Sequence, residues 1–176
     1  LAWGRELADA LGAPLASVVI GSGIKEQAAA LAAYGADKIY VAEAPEFENF
    51  KADIEVATLA DLIETYKPTI LIASATTQGR TVMPMLSARP GCGLTADCTE
   101  MAIDPATKRL IQTRPAIGGN VMADIKTKGR DPQMCTVRPK SKRPLPADGS
   151  RRGEVIEFKP REDTLASLIK FIKFAP

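Results

Sequence analysis

Histidine is missing altogether from the 176 residues. Without imidazole the commonest general base, every Ser-His or Cys-His nucleophile and most transition-metal sites are excluded together. Cysteine is scarce: Cys92, Cys98 and Cys135 are odd in number and form no CxxC pair, which argues against a disulfide framework or a structural zinc site. A reducing cytoplasm or organelle matrix suits such a chain. No apolar run approaches the roughly 20 residues of a membrane-spanning helix, and residues 1–11 lack the basic start and unbroken apolar stretch of a signal peptide. Excess charge is small, 23 Lys and Arg against 21 Asp and Glu for a net +2, so nucleic acid is not an expected partner. What remains, 45% hydrophobic and 25% charged residues, suits one globular domain with a substantial core.

Apolar residues recur at helical spacing through Leu1, Leu7, Ala8 and Leu11, and Gly12 ends that helix. Leu15 to Ile20 then reads as a buried strand, Ile24 to Tyr34 as an alanine-rich helix closed by Gly35, and Lys38 to Val41 as a second strand. Asp53 to Tyr66 carries an apolar stripe broken by Pro68, and Thr69 to Ala73 is a third uniformly apolar strand. Helices alternating with such strands predict an α/β fold with an open, mostly parallel sheet covered by helices on both faces. Residues 78–89 predict a further helix, capped by Thr76 or Thr77, with Pro84 tolerable only in its first turn. Beyond it, residues 94–103, 110–114, 121–127 and 133–137 are separated by turn-rich segments and predict antiparallel strands added to the sheet. Residues 139–153, rich in proline, glycine and basic side chains, predict a solvated linker, followed by a short strand at 154–159. Leu165, Leu168, Ile169 and Ile172 repeat at i, i+3, i+4 and i+7 behind Asp163 or Thr164, which predicts a terminal amphipathic helix. Residues 1–160 are thus expected to form the domain and 161–176 a linker helix. The sequence is expected to continue past both ends, since an α/β sheet normally opens with a strand that the first helix crosses over.

Two loops have the position of a ligand site. Gly21-Ser22-Gly23 lies between a strand and a helix, but the third glycine of a dinucleotide fingerprint is replaced by Glu26, and a tight turn is the expectation. Thr76, Thr77, Gln78, Gly79 and Arg80 follow the most apolar strand, at the carboxyl edge where open α/β sheets bind ligands. That loop either cradles a phosphate, with Arg80 as its cation, or caps a helix while Arg80 makes an interface salt bridge. Asp97 and Glu100, three apart on an extended strand, face opposite sides and read as surface or interface charges. Cys92 and Cys98 read as packing residues rather than a redox pair. The glycine pair in Thr113 to Asn120 permits a bulge or a docking surface.

Four segments, QGRTVMPMLSAR at 78–89, GLTADC at 93–98, TRPAIGGN at 113–120 and TVRP at 136–139, resemble in order and spacing the alpha subunit of electron-transfer flavoprotein. The resemblance runs from Leu1 to about Lys159 and covers that subunit's N-terminal domain, whose fold is of the adenine-nucleotide alpha-hydrolase kind. It implies a heterodimer with a beta subunit that carries electrons, through FAD held mainly in a C-terminal domain not among these residues, from flavin dehydrogenases such as acyl-CoA dehydrogenases to an acceptor, often a membrane quinone reductase. It implies a bacterial cytoplasm or, in a eukaryote, the mitochondrial matrix. Arg80, Arg114, Asn120 and Arg138 are the candidate contacts with the beta subunit or the flavin domain. The alternative is a free-standing adenine-nucleotide-binding module with its site at Thr76 to Arg80. A hydrolase is disfavoured by the missing histidine and the unmatched carboxylates.

Overall fold

The computed structural model describes residues 1–116 and 118–173. Ile117 of the 113–120 motif and residues 174–176 of the expected terminal helix lie outside them. The first half is built as its periodicity demands. Helix α1 (Ala2–Leu11) stops at Gly12, whose φ of 63° is open to glycine at no steric cost. Strands β1 (Ala16–Gly21) and β2 (Lys38–Glu43) run parallel, with Ala16 opposite Lys38. The alanine-rich segment between them is one α-helical turn, α2 (Lys25–Ala28), that tightens into a 3-10 helix over Ala29–Tyr34 before Gly35, in place of the single helix expected. Helix α3 (Ala52–Tyr66), strand β3 (Ile70–Ser74) and helix α4 (Thr77–Ala88) follow in order. Pro84 sits well inside α4 on its exposed side, not in the first turn, so the solvent face absorbs the missing N–H.

The second half departs from a purely antiparallel extension. The stretch expected as one strand over 94–103 is two, β4 (Leu94–Cys98) and β5 (Glu100–Ile103). Strands β5, β6 (Leu110–Pro115) and β7 (Met122–Lys126) form an antiparallel sheet, as expected. Strand β8 (Gln133–Val137) instead lies between β3 and β4 and is parallel to both. It is central because four of its five residues are buried, and only a position with strands on both sides satisfies such a backbone. Strand β9 (Glu154–Glu157) adds parallel to β2. The order is therefore β1-β2-β9, β3-β8-β4 and β5-β6-β7, three sheets of three strands.

Helices α1 and α3 hold the first two sheets together. Gly4 of α1 approaches both Leu15, just before β1, and Ile72 of β3, so closely that a Cβ there would lie 2.7 Å from Leu15 Cδ1. Helix α3 packs Ile54 with Ile20 at one end and Val56 with Leu71 and Ala73 along its length. Between α3 and α4, Val56, Val82, Met83, Leu86 and Met134 form an apolar cluster around β8. Complete burial of a side chain such as Leu86 contributes about 1.5–3 kcal/mol. Residues 139–153 are pinned rather than free: Trp3 donates from Nε1 to Ser141 Oγ at 3.0 Å and Lys142 Nζ lies 4.0 Å from the Trp3 ring centre.

The terminal amphipathic helix is not formed in the described residues. The chain makes a 3-10 turn at Glu162–Leu165 and continues without helix, leaving Leu168 fully exposed. Two carboxylates of α3 hold it so. Asp61 accepts from Arg161 and from Thr164 Oγ1, both at 2.9 Å, while Asp53 accepts from Ser167 Oγ at 2.9 Å and from the Leu168 amide at 2.7 Å. A Leu168 amide bonded to Asp53 cannot join a helical ladder.

Candidate functional site at the carboxyl edge

Strands β3, β8 and β4 end at Ser74, Val137 and Cys98, and each hands on a polar loop at the same edge of the sheet. After β3 the backbone turns abruptly into α4. Thr76 is the N-cap, its Oγ1 accepting from the Gly79 amide at 3.2 Å, so the hydroxyl is engaged within the protein. Gly79 is there because a Cβ would lie 2.0 Å from the Ser74 carbonyl oxygen. Thr77 and Gln78 are exposed beside it. Arg80 folds back, donating from Nε to the Ala75 carbonyl at 3.0 Å.

The centre of the edge is Asp97. It occupies a break in the β4 register with φ 60°, a left-handed conformation that Asp adopts more readily than most residues, and its amide donates to Thr136 Oγ1 of β8 at 2.9 Å. Turned this way, its carboxylate meets two guanidiniums. Arg138 binds through Nε at 3.3 Å and through its terminal nitrogen at 2.7 Å, and Arg80 approaches at 3.5 Å. The Arg138 hydrogen bonds, joined by the fields of Arg80 and Arg114, hold the Asp97 carboxyl below the usual carboxylate range despite its partial burial. Asp97 in turn raises Arg138.

Two of the four candidate contacts, Arg80 of α4 and Arg138 just after β8, thus converge on Asp97, and Arg114 of β6 acts on it through its field. Asn120 does not join them: it is exposed in the turn between β6 and β7. The residue whose partners sequence reasoning missed is Asp97, taken there as a surface or interface charge. Its signal was a carboxylate inside one of the four motifs while arginines stood in the other three.

The Gly21-Ser22-Gly23 turn does not serve a phosphate. Its Gly23 amide donates to Glu43 Oε1 at 3.1 Å and the helix after it is a single turn. An open groove of about 660 Å³ beside that turn is lined by Glu26, Glu43 and Glu157 against Lys25, which repels a pyrophosphate. At the arginine edge the Gly79 amide is spent on Thr76. At these two loops the amides that would cradle a dinucleotide such as FAD are engaged within the protein, Gly23 with Glu43 and Gly79 with Thr76, and no residue of either loop is assigned a step in its chemistry. The sulfur atoms behind the edge are packing groups: Cys98 and Cys135 are buried, and Cys135 Sγ lies 3.3 Å from Met101 Sδ. The neighbouring Cys98 and burial push the Cys135 thiol up, away from the reactive thiolate.

The protein is thus an α/β domain whose carboxyl edge is occupied by its own arginine–carboxylate network. Residues 1–163 match the electron transfer flavoprotein domain, and the chain belongs to that family. It is 37% identical over 96% of its length to the electron transfer flavoprotein subunit alpha of Megasphaera elsdenii, covering 50% of that protein. It is 38% identical to the protein FixB of Azotobacter vinelandii, with 96% of this chain and 49% of the relative covered. The subunit LctC of the NAD+- and ferredoxin-dependent lactate dehydrogenase of Acetobacterium woodii is 43% identical over 76% of this chain and 32% of its own. The chain spans about half the length of the alpha subunits and FixB proteins it matches.

Proposed function

We propose that this chain is the scaffold domain of an electron-transferring flavoprotein alpha subunit, which pairs with a beta subunit and carries electrons from a flavin dehydrogenase to a downstream acceptor. The observation that supports this most is the conjunction of an alpha-subunit likeness over 96% of the chain with a carboxyl edge filled by Arg80, Asp97 and Arg138. FAD, held mainly by a following domain, supplies the one- and two-electron redox chemistry. The domain's own residues position: they present a rigid edge against which the partner and the flavin-bearing part are held. Acyl-CoA dehydrogenases are one class of donor and a membrane quinone reductase one class of acceptor. The likeness to a lactate dehydrogenase subunit favours a second, in which the complex serves a 2-hydroxy acid dehydrogenase. A bacterial cytoplasm or mitochondrial matrix is the matching compartment.

The test uses the full-length alpha subunit co-expressed with its beta subunit. Arg80→Ala with Arg138→Ala is expected to weaken subunit association while the FAD content of the complex that forms stays at the wild-type ratio. FAD or AMP lost from the complex, with association unchanged, would move the site to Thr76 to Arg80 and make the domain a nucleotide-binding module.

A further inference from the structure

The carboxyl edge carries more cation than it neutralises. Arg80 and Arg138 both bind the single carboxylate of Asp97, and Arg114 of β6 adds its field, so positive charge is left in excess. The surplus is accessible, with the Arg80 and Arg138 side chains 60% and 48% exposed. Each guanidinium carries five donors, and both of these leave one terminal nitrogen outside the bonds to Ala75 and Asp97. The first turn of α4 adds its own positive potential, and Lys140 follows two residues after Arg138. The nearest acids do not answer this charge. Glu100 and Asp124 both oppose Thr113 in the β5-β6-β7 sheet, on the face opposite to that of its neighbour Arg114, and Asp124 is bonded to Thr113 Oγ1.

Apolar surface adjoins the cations. Arg114 opposes Ala123, and Val121, two residues before Ala123 and so on the same face, is 60% exposed. The patch is open and spread over three elements, and the Gly79 amide of its helix N-terminus is already taken by Thr76. This suits an extended polypeptide better than a single phosphate. Resting on the heterodimer reading above, we infer that this edge docks an acidic segment of the beta subunit, two or more carboxylates beside an apolar side chain, with Asp97 as the internal placeholder that the incoming carboxylates compete with for Arg138 and Arg80. Carboxylates exchange against guanidiniums in bidentate pairs, and the surplus charge steers the encounter.

The sign of two variants separates docking from mere structure. Full-length alpha and beta subunits are purified apart and their association is followed at several salt concentrations. Arg80→Glu with Arg138→Glu is expected to slow association about tenfold or more and to flatten its salt dependence. Asp97→Asn, which keeps the left-handed backbone accessible, is expected to speed association, because it frees both arginines. A network that only holds the fold together predicts that Asp97→Asn weakens association, and that result overturns the proposal. Wild-type association that is insensitive to salt and to the charge reversal overturns it too while leaving the heterodimer intact. Failure of the wild-type subunits to associate at all refutes the heterodimer itself, and inorganic phosphate binding to the alpha subunit at micromolar strength would replace the acidic segment by a phosphate ligand.

Discussion

Replacing Gly79 by alanine inverts a familiar rule. Inside a helix, alanine in place of glycine ordinarily stabilises by about 0.5–1 kcal/mol, since glycine loses more backbone freedom on folding. Gly79 lies in the first turn of α4 with no positive φ to defend, so that gain is available in full. Against it stands the Cβ position 2.0 Å from the Ser74 carbonyl oxygen and 3.2 Å from its carbon. Those are backbone atoms at the end of a parallel strand, and they yield only if β3 or the start of α4 moves. Overpacking of this kind costs about 1–3 kcal/mol, and a contact this short belongs at the upper end. The net expectation is a loss of roughly 1–2 kcal/mol, or about 2–8 °C in Tm for a chain of this size. Trp3 is the one tryptophan, set on α1 against Lys142, so urea unfolding followed by its fluorescence reads the whole domain. Gly149→Ala is the control: no atom lies within 4 Å of its Cβ position and its φ is not left-handed, so stability is expected to hold or rise slightly. A Gly79→Ala protein as stable as its parent, or more stable, would refute the steric account of the β3-to-α4 turn.

Other perturbations test separate parts of the fold. Asp61→Ala removes the acceptor of both Arg161 and buried Thr164, and is expected to expose residues 161–173 to limited proteolysis while the rest of the domain stays resistant. Lowering pH is expected to destabilise: Asp37 and Asp53 are held below the usual range, both against the opposing cost of burial, Asp37 by the Leu15 amide and Arg5, and Asp53 by Ser167 and the Leu168 amide. Because the folded values are depressed, their stabilisation is complete above the unfolded value near 3.9 and is lost as pH falls below it. Asp37→Asn should blunt that acid loss in a pH series of urea midpoints. A thiol reagent should find Cys92 alone in the native domain, slowly because burial and the nearby Asp131 push its thiol up, and Cys98 and Cys135 only after unfolding.

Elements whose partners are close in sequence are the ones that pattern alone places. The β1-to-β2 and β3-to-α4 units bury their apolar stripes locally, and their boundaries fall where Gly12, Gly35 and Thr76 end or cap a helix. Strand β8 shows where this stops. Gln133, Met134, Cys135 and Thr136 mix polar and apolar side chains as a half-exposed antiparallel strand would, yet all four are buried. The slot they fill is left open when α4 carries the chain past it from β3 to β4, about 40 residues before β8 arrives, and no local period records that vacancy. The terminal segment fails for the converse reason. Its helical period is real, but Ser167 and the Leu168 amide find Asp53, more than 100 residues away in sequence, and one tertiary carboxylate outweighs a weak local preference. The site follows the same logic. Strict alternation along β4 turns Asp97 and Glu100 apart and leaves both without a role, whereas the register break at Asp97 aims its carboxylate at Arg80 and Arg138. The arginines were legible because they sit in recognisable motifs. Their common partner was not, because a bulge is a property of two strands and only one of them was in view.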